Sequence, residues 1–204
     1  FQALLDMLEQ NESRPTVLKQ IYDNIAYILD KLTESHSAWN FRPAIDQYIT
    51  RLYKGTSQHT PLLACLQKAL EIRPGDQEKT ETYKAIATTT KVLDYLWMLI
   101  IQSRLNYNVL NNLSTYTDSG FKRLLLGFLA SFRTLLAAPL GRMALDTRAR
   151  AVSALTFVLK HLPTMLRGLT QFFRPEELCP EIVAILKMVG ELTASPVPVI
   201  RPDG

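Results

Sequence analysis

Histidine and cysteine are scarce in this chain of 204 residues, with three of the first (His36, His59, His161) and two of the second (Cys65, Cys179). Two cysteines cannot build a disulfide framework or a zinc site, so a reducing, cytosolic setting is the simplest expectation. Long apolar runs are missing too. The densest, Leu96 to Ile101 and Leu124 to Ala130, fall far short of the roughly 18–20 residues a membrane helix needs. The first ten residues carry Asp6 and Glu9 and so lack the pattern of a secretory signal. The chain opens on Phe1 rather than Met, which is expected of a piece cut from something longer. With only eight glycines there is no Gly-rich phosphate loop, and neither a Walker lysine nor a His-Glu-x-x-His spacing occurs. Glu176-Glu177 is a carboxylate pair, but it follows Pro175 in a first helical turn, where acids stabilise the helix dipole. His36 and His59 fall in expected joins and His161 beside Lys160, so all three read as surface residues rather than bases positioned for a nucleophile. Cys65 and Cys179 lie at or near apolar helix faces, where inert buried thiols are common. No catalytic, cofactor-binding or metal-ligating residue is expected, and the chain does not read as an enzyme.

Acidic residues are nearly absent from one stretch. Residues 1–119 hold 12 basic and 13 acidic side chains, and residues 176–204 hold two basic and five acidic. Between them, residues 120–175 hold nine basic side chains against Asp146 alone. A segment this one-sided suits phosphate, anionic lipid or an acidic protein surface. The plainer reading is that these cations neutralise acidic neighbours in the parent protein or simply sit in water. Nucleic acid would call for aromatics among the cations, whereas Trp39, Tyr83, Tyr95 and Trp97 lie in other parts of the chain and read as core.

What the sequence has in quantity is helical periodicity. Leu18, Ile21, Tyr22, Ile25, Ile28, Leu29 and Leu32 follow a 3.6-residue period behind Pro15, a good first-turn residue. Shorter stripes precede and follow it: Phe1, Leu4, Leu5, Leu8; then Ile45, Tyr48, Ile49, Leu52; then Leu62, Leu66, Ala69, Leu70. A fifth helix is expected from about Asp76 to Leu105. Its second half is apolar on nearly every side except Asp94, which marks it as the central, buried helix. Asn106 to Gly120 is the most loop-like interior stretch and the best candidate for a mobile connection. Two more stripes run Phe121 to Leu136 and Leu155 to Leu169, the latter with Pro163 expected to kink or split it. Pro175 and Pro180 are expected to flank a turn before a last helix that stops at Gly190. No stretch alternates long enough to demand a sheet. The expected fold is all-α: stacked antiparallel helices of the armadillo/HEAT-like helical-repeat kind over residues 1–190, then an irregular tail or linker over 191–204. A compact irregular bundle is the competitor, and no tetratricopeptide or ankyrin signature is found. The tail prolines 196, 198 and 202 lack the P-x-x-P spacing of an SH3 ligand.

Several segments, taken in order, resemble the central helical region of the dedicator-of-cytokinesis (DOCK) family, most closely its Rac-activating A and B branches. They are Asn40-Phe-Arg-Pro-Ala-Ile-Asp-Gln-Tyr-Ile49, Tyr83-Lys-Ala-Ile86 with Val92-Leu-Asp-Tyr-Leu96, and Ile101-Gln-Ser-Arg-Leu-Asn-Tyr107. Ala154-Leu-Thr-Phe-Val-Leu-Lys-His-Leu-Pro-Thr164 and Phe173-Arg-Pro-Glu-Glu-Leu178 follow. The resemblance implies a large cytosolic guanine-nucleotide exchange factor for Rac-type GTPases, recruited to the plasma membrane through other domains. It also implies that phosphoinositide binding, exchange and ELMO-type adaptor binding lie outside this segment, which serves as spacer and scaffold in cytoskeletal signalling. No exchange residue carries over.

The expected partner is an acidic protein surface, on an adaptor or a neighbouring domain of the parent chain, rather than nucleic acid. The candidate contact residues are Arg142, Arg148 and Arg150, which cluster around the join before the Leu155 to Leu169 stripe. The alternative function is a basic helical-repeat module that binds nucleic acid or anionic lipid.

Overall fold

The computed structural model describes residues 1–34, 41–73, 75–76, 79–137 and 140–194. Of these residues, 82% are helical, and no strand occurs among them. The helices are α1 (Gln2–Gln10), α2 (Pro15–Thr33), α3 (Arg42–Gln47), α4 (His59–Leu70), α5 (Thr80–Lys91), α6 (Leu93–Leu110), α7 (Ser119–Leu136), α8 (Leu145–Leu169) and α9 (Pro175–Ala194). They pack on one another as a helical repeat does: α1 on α2, α2 on α4 and α5, α4 on α6 and α7, α5 and α6 on α8, and α7 on α9.

The apolar stripes do the packing. Leu18, Ile21, Tyr22, Ile25 and Leu29 of α2 are buried, as are Phe121, Leu125, Phe128 and Phe132 of α7. The helix that is apolar on nearly every side, α6, lies at the centre, with Leu93, Leu96 and Ile100 fully buried and Trp97 only 1% exposed. Its ring stacks at a tilt on Phe128, 5.1 Å between centroids, so α6 and α7 share one aromatic seam.

Four expectations about elements change. The expected fifth helix is two helices, because the backbone leaves helical geometry at Val92 (φ −114°, ψ 16°) and restarts with Asp94 in the first turn of α6. Pro163 does not split α8, which runs unbroken from Leu145 to Leu169. Pro180 likewise lies inside α9, which begins at Pro175 and continues through Gly190 to Ala194, into the stretch expected to be irregular. Each proline withholds one N–H, and the packing of α8 on α5 and α6 and of α9 on α7 outweighs that loss. Finally, α3 runs into a π-helical turn over Tyr48–Leu52, closed by Tyr53 N–H donating to the Tyr48 carbonyl at 2.8 Å. The extra residue rotates the stripe, so Leu52 is 68% exposed while Tyr53 is buried in its stead.

The Asn106 to Gly120 stretch is ordered, not a free loop. Its first five residues complete α6. Asn112 then takes a positive φ of 52°, the left-handed conformation that asparagine tolerates, and Leu113 N–H closes the turn on the Asn108 carbonyl at 2.8 Å. A 3₁₀ turn over Thr115–Thr117 leads to Asp118, whose Oδ1 caps α7 by accepting from the Phe121 N–H at 3.1 Å. His36, Trp39 and the prolines beyond Ala194 lie outside the described residues.

Candidate interaction surface

The join between α7 and α8 places the three candidate arginines in three different situations. Arg142 ends a short 3₁₀ turn, Leu140–Arg142, and is exposed. Arg148 is turned inward onto that turn, with Nε donating to the Leu140 carbonyl at 2.8 Å and Nη2 to the Met143 carbonyl at 3.2 Å. Its guanidinium donates to two carbonyls of the turn and so ties the turn to the start of α8. Arg150 is exposed and pairs with Asp146 one helical turn earlier, Nε to Oδ2 at 3.3 Å. The cluster read from sequence is therefore one exposed cation, one structural tether and one surface ion pair.

Two more cations of the basic segment are matched from the acidic segment that follows. Lys122 of α7 meets Glu177 of α9 at 2.8 Å, and Arg133 of α7 meets Glu181 of α9 at 2.8 Å. Glu177 also accepts from the Arg174 N–H, and these contacts hold its carboxyl below the usual carboxylate range. The opposite charge excesses of residues 120–175 and 176–204 thus meet along the α7–α9 contact. Of the nine cations of residues 120–175, Lys122 and Arg133 are matched in this way.

Sequence reasoning missed the strongest polar cluster. The Arg104 guanidinium on α6 donates to Asp118 Oδ2, with Nε at 2.6 Å, and Nη1 donates to His59 Nε2 at 2.9 Å. Arginine can only donate, so His59 Nε2 accepts and the ring proton sits on Nδ1, 3.4 Å from Ser103 Oγ. The same hydroxyl accepts from the His59 backbone N–H at 3.1 Å. Arg104 also lies over the rings of Tyr107 (4.5 Å) and Phe121 (5.2 Å). His59 is buried, contrary to its expected surface place, and burial followed by the Arg104 charge pushes its pKa down to about 4. It is neutral at pH 7 and works as a hydrogen-bond acceptor. The cluster joins α4, α6 and the cap of α7 through contacts among its own side chains.

His161 is also buried, not surface-exposed. Its Nδ1 lies 3.4 Å from Asp94 Oδ2, and burial lowers its pKa while Asp94 acts in the opposite direction. Asp94 belongs to the first turn of α6, so this contact ties α8 to the break between α5 and α6. His59 faces the Ser103 hydroxyl with its protonated Nδ1, which cannot take up the hydroxyl proton, so the two do not make a nucleophile and base.

A groove of about 460 Å³ lies between α2, α4 and α5, floored by Leu18, Tyr22, Cys65 and Ile86. Its rim carries Lys19, Asp23, Lys68, Glu71, Arg73 and Asp76, three of each sign, and so favours no charged ligand. Cys65 is half-buried there, and burial pushes its thiol up to about 11, far from the reactive range. Cys179, expected near an apolar face, is exposed on α9. Among the described residues no group of His, Cys, Asp and Glu could hold a metal ion, and no helix is long and apolar enough to cross a membrane.

These features describe a packed helical stack. Compared with known families, residues 1–196 match the model described as the "Dedicator of cytokinesis (DOCK) TPR region". The chain belongs to the DOCK family. The matched part is the family's helical-repeat region, in keeping with the stack of helices seen here. The description refers to tetratricopeptide repeats, a signature that the residues themselves do not display. That contrast fits a DOCK repeat whose helices are kept by apolar periodicity rather than by fixed motif positions.

Proposed function

We propose that this DOCK helical region is a non-catalytic scaffold and spacer within a guanine-nucleotide exchange factor for Rac-type small GTPases, of the A/B branch, working in the cytoplasm. The match of residues 1–196 to the family's repeat region carries the reading. The chemistry of the buried polar groups supports it: His59 is spent as an acceptor for Arg104, and His161 is paired with Asp94. In this reading the stack holds flanking domains at a set distance and offers an acidic protein surface a docking place at Arg142 and Arg150, with Arg148 bracing the turn that carries them. Binding of such a partner weakens steeply as salt rises from low to moderate concentration.

Nucleotide release from fluorescently loaded Rac tests the proposal. The purified chain is expected to leave the release rate at its spontaneous value. Measurable acceleration by the chain alone overturns the assignment.

A further inference from the structure

From Thr147 to Pro175 the sequence has no acidic residue, and α8 occupies most of that stretch. The inner side of α8 is taken up by α5, α6 and α7. Its outer side presents Ala149, Ser153, Thr156, Lys160, Thr164 and Arg167, spaced by threes and fours so that they fall on one line along the helix. All are exposed except Thr164, which is half-exposed. The line is about 27 Å long, and the two cations on it stand about 10.5 Å apart.

The charge on this line is not neutralised within the molecule. Lys122, Arg133 and Arg150 have carboxylate partners, and Arg148 is held on carbonyls. Lys160 and Arg167 make no ion pair among the described residues. The N-terminal half of the line has only small side chains, which let a second helix approach closely, and the C-terminal half has two long cations that reach across such a contact. No aromatic lies on the line to stack a base, and the exposed apolar side chains beside it, Leu145 and Val152, stand toward its N-terminal end, away from Lys160 and Arg167. Two cations near a lipid surface contribute only about 2 kcal/mol, too little for stable anchoring.

We propose that the outer face of α8 docks an acidic helical segment of a partner protein, with Lys160 and Arg167 meeting carboxylates about two helical turns apart. This inference rests on the scaffold reading above and moves its main contact from the turn before α8 to the middle and end of that helix.

The test uses the whole 204-residue chain and a fluorescein-labelled helical peptide of about 20 residues with glutamates on one face. Anisotropy is read at about 0.02 and 0.15 M salt. The double variant K160E/R167E is expected to bind at least about tenfold more weakly than the parent chain. The charge-matched double R123E/K187E, at two exposed cations away from this face, is expected to bind within about twofold of it. K160Q/R167Q, checked by circular dichroism for unchanged helix content, shows an intermediate loss and guards against a folding defect from charge reversal. Equal weakening by both charge-reversed doubles, no peptide binding at low salt, or a preference for phosphatidylserine vesicles or single-stranded DNA over the peptide overturns the proposal. None of those results bears on the exchange assay, which decides the scaffold reading by itself.

Discussion

Trp97 of α6 lies where Gly168 of α8 has no side chain. A methyl group built on Gly168 collides with the indole Nε1 and comes within 3.0 Å of Ile101 Cγ1 and 3.2 Å of Trp97 Cε2. The two helices approach this closely only because that carbon is missing, and Trp97 then fills the space up to Phe128.

Gly168→Ala should therefore destabilise the chain by about 1–3 kcal/mol, even though alanine is the better helix former. Gly190 of α9 is the internal control, since nothing lies within 4 Å of a methyl built there. Gly190→Ala should stabilise by up to about 1 kcal/mol. Urea unfolding of the pair measures both, and the same sign for both changes would refute the packing argument.

Leu96 is fully buried at the centre of α6. Truncation to alanine should cost about 2–5 kcal/mol, the transfer of the lost methyl groups plus the cavity they leave. A cost under about 1 kcal/mol would mean that the core is centred elsewhere.

His59 gives stability a defined pH dependence. Its folded pKa, about 4, lies below its ordinary value of 6.5, so the unfolded chain takes up the proton first as pH falls. The stabilisation tied to the neutral ring is complete above about pH 6.5 and drains away toward pH 4, about 3 kcal/mol in all. His161, also lowered by burial, adds to the slope in the same direction. His59→Gln keeps an acceptor for Arg104 without titrating, so its unfolding free energy should change less over this window. Equal slopes for the two proteins would refute the assignment.

Asp118 has two roles that substitutions can separate. Its Oδ1 caps α7 and its Oδ2 takes Arg104. Asp118→Asn retains a capping oxygen and loses the charge, whereas Asp118→Ala loses both and leaves a buried guanidinium unpaired. The alanine variant should cost about 3–5 kcal/mol, with about 1 kcal/mol of it from the cap. Thermal unfolding of both variants gives the split.

The apolar stripes made most of the helices legible, because a 3.6-residue period is a local property and Leu18 to Leu29 or Phe121 to Leu136 display it whole. The break at Val92 was not legible. It involves neither proline nor glycine, and His161, which meets Asp94 just after it, lies far along the chain. Pro163 and Pro180 misled for the opposite reason: a local breaker signal gave way to packing from other helices. The same distance hid the polar cluster, since Arg104 reaches His59 across 45 residues. Of the arginine site, only the exposure of Arg142 and Arg150 could be anticipated. That Arg148 turns onto carbonyls follows from the shape of the Leu140–Arg142 turn, which no spacing announces.

The Arg104–Asp118 pair also bears on the order in which the chain assembles. It closes a loop of 14 residues, while the hydroxyl bond between Thr80 and Thr147, which joins α5 to α8, spans 67. Closing the longer loop costs about 1.4 kcal/mol more in chain entropy. The link from α6 to the cap of α7 is therefore expected to close before α8 docks on α5. Damage at Asp118 registers as slower folding, and damage at Thr147 as faster unfolding.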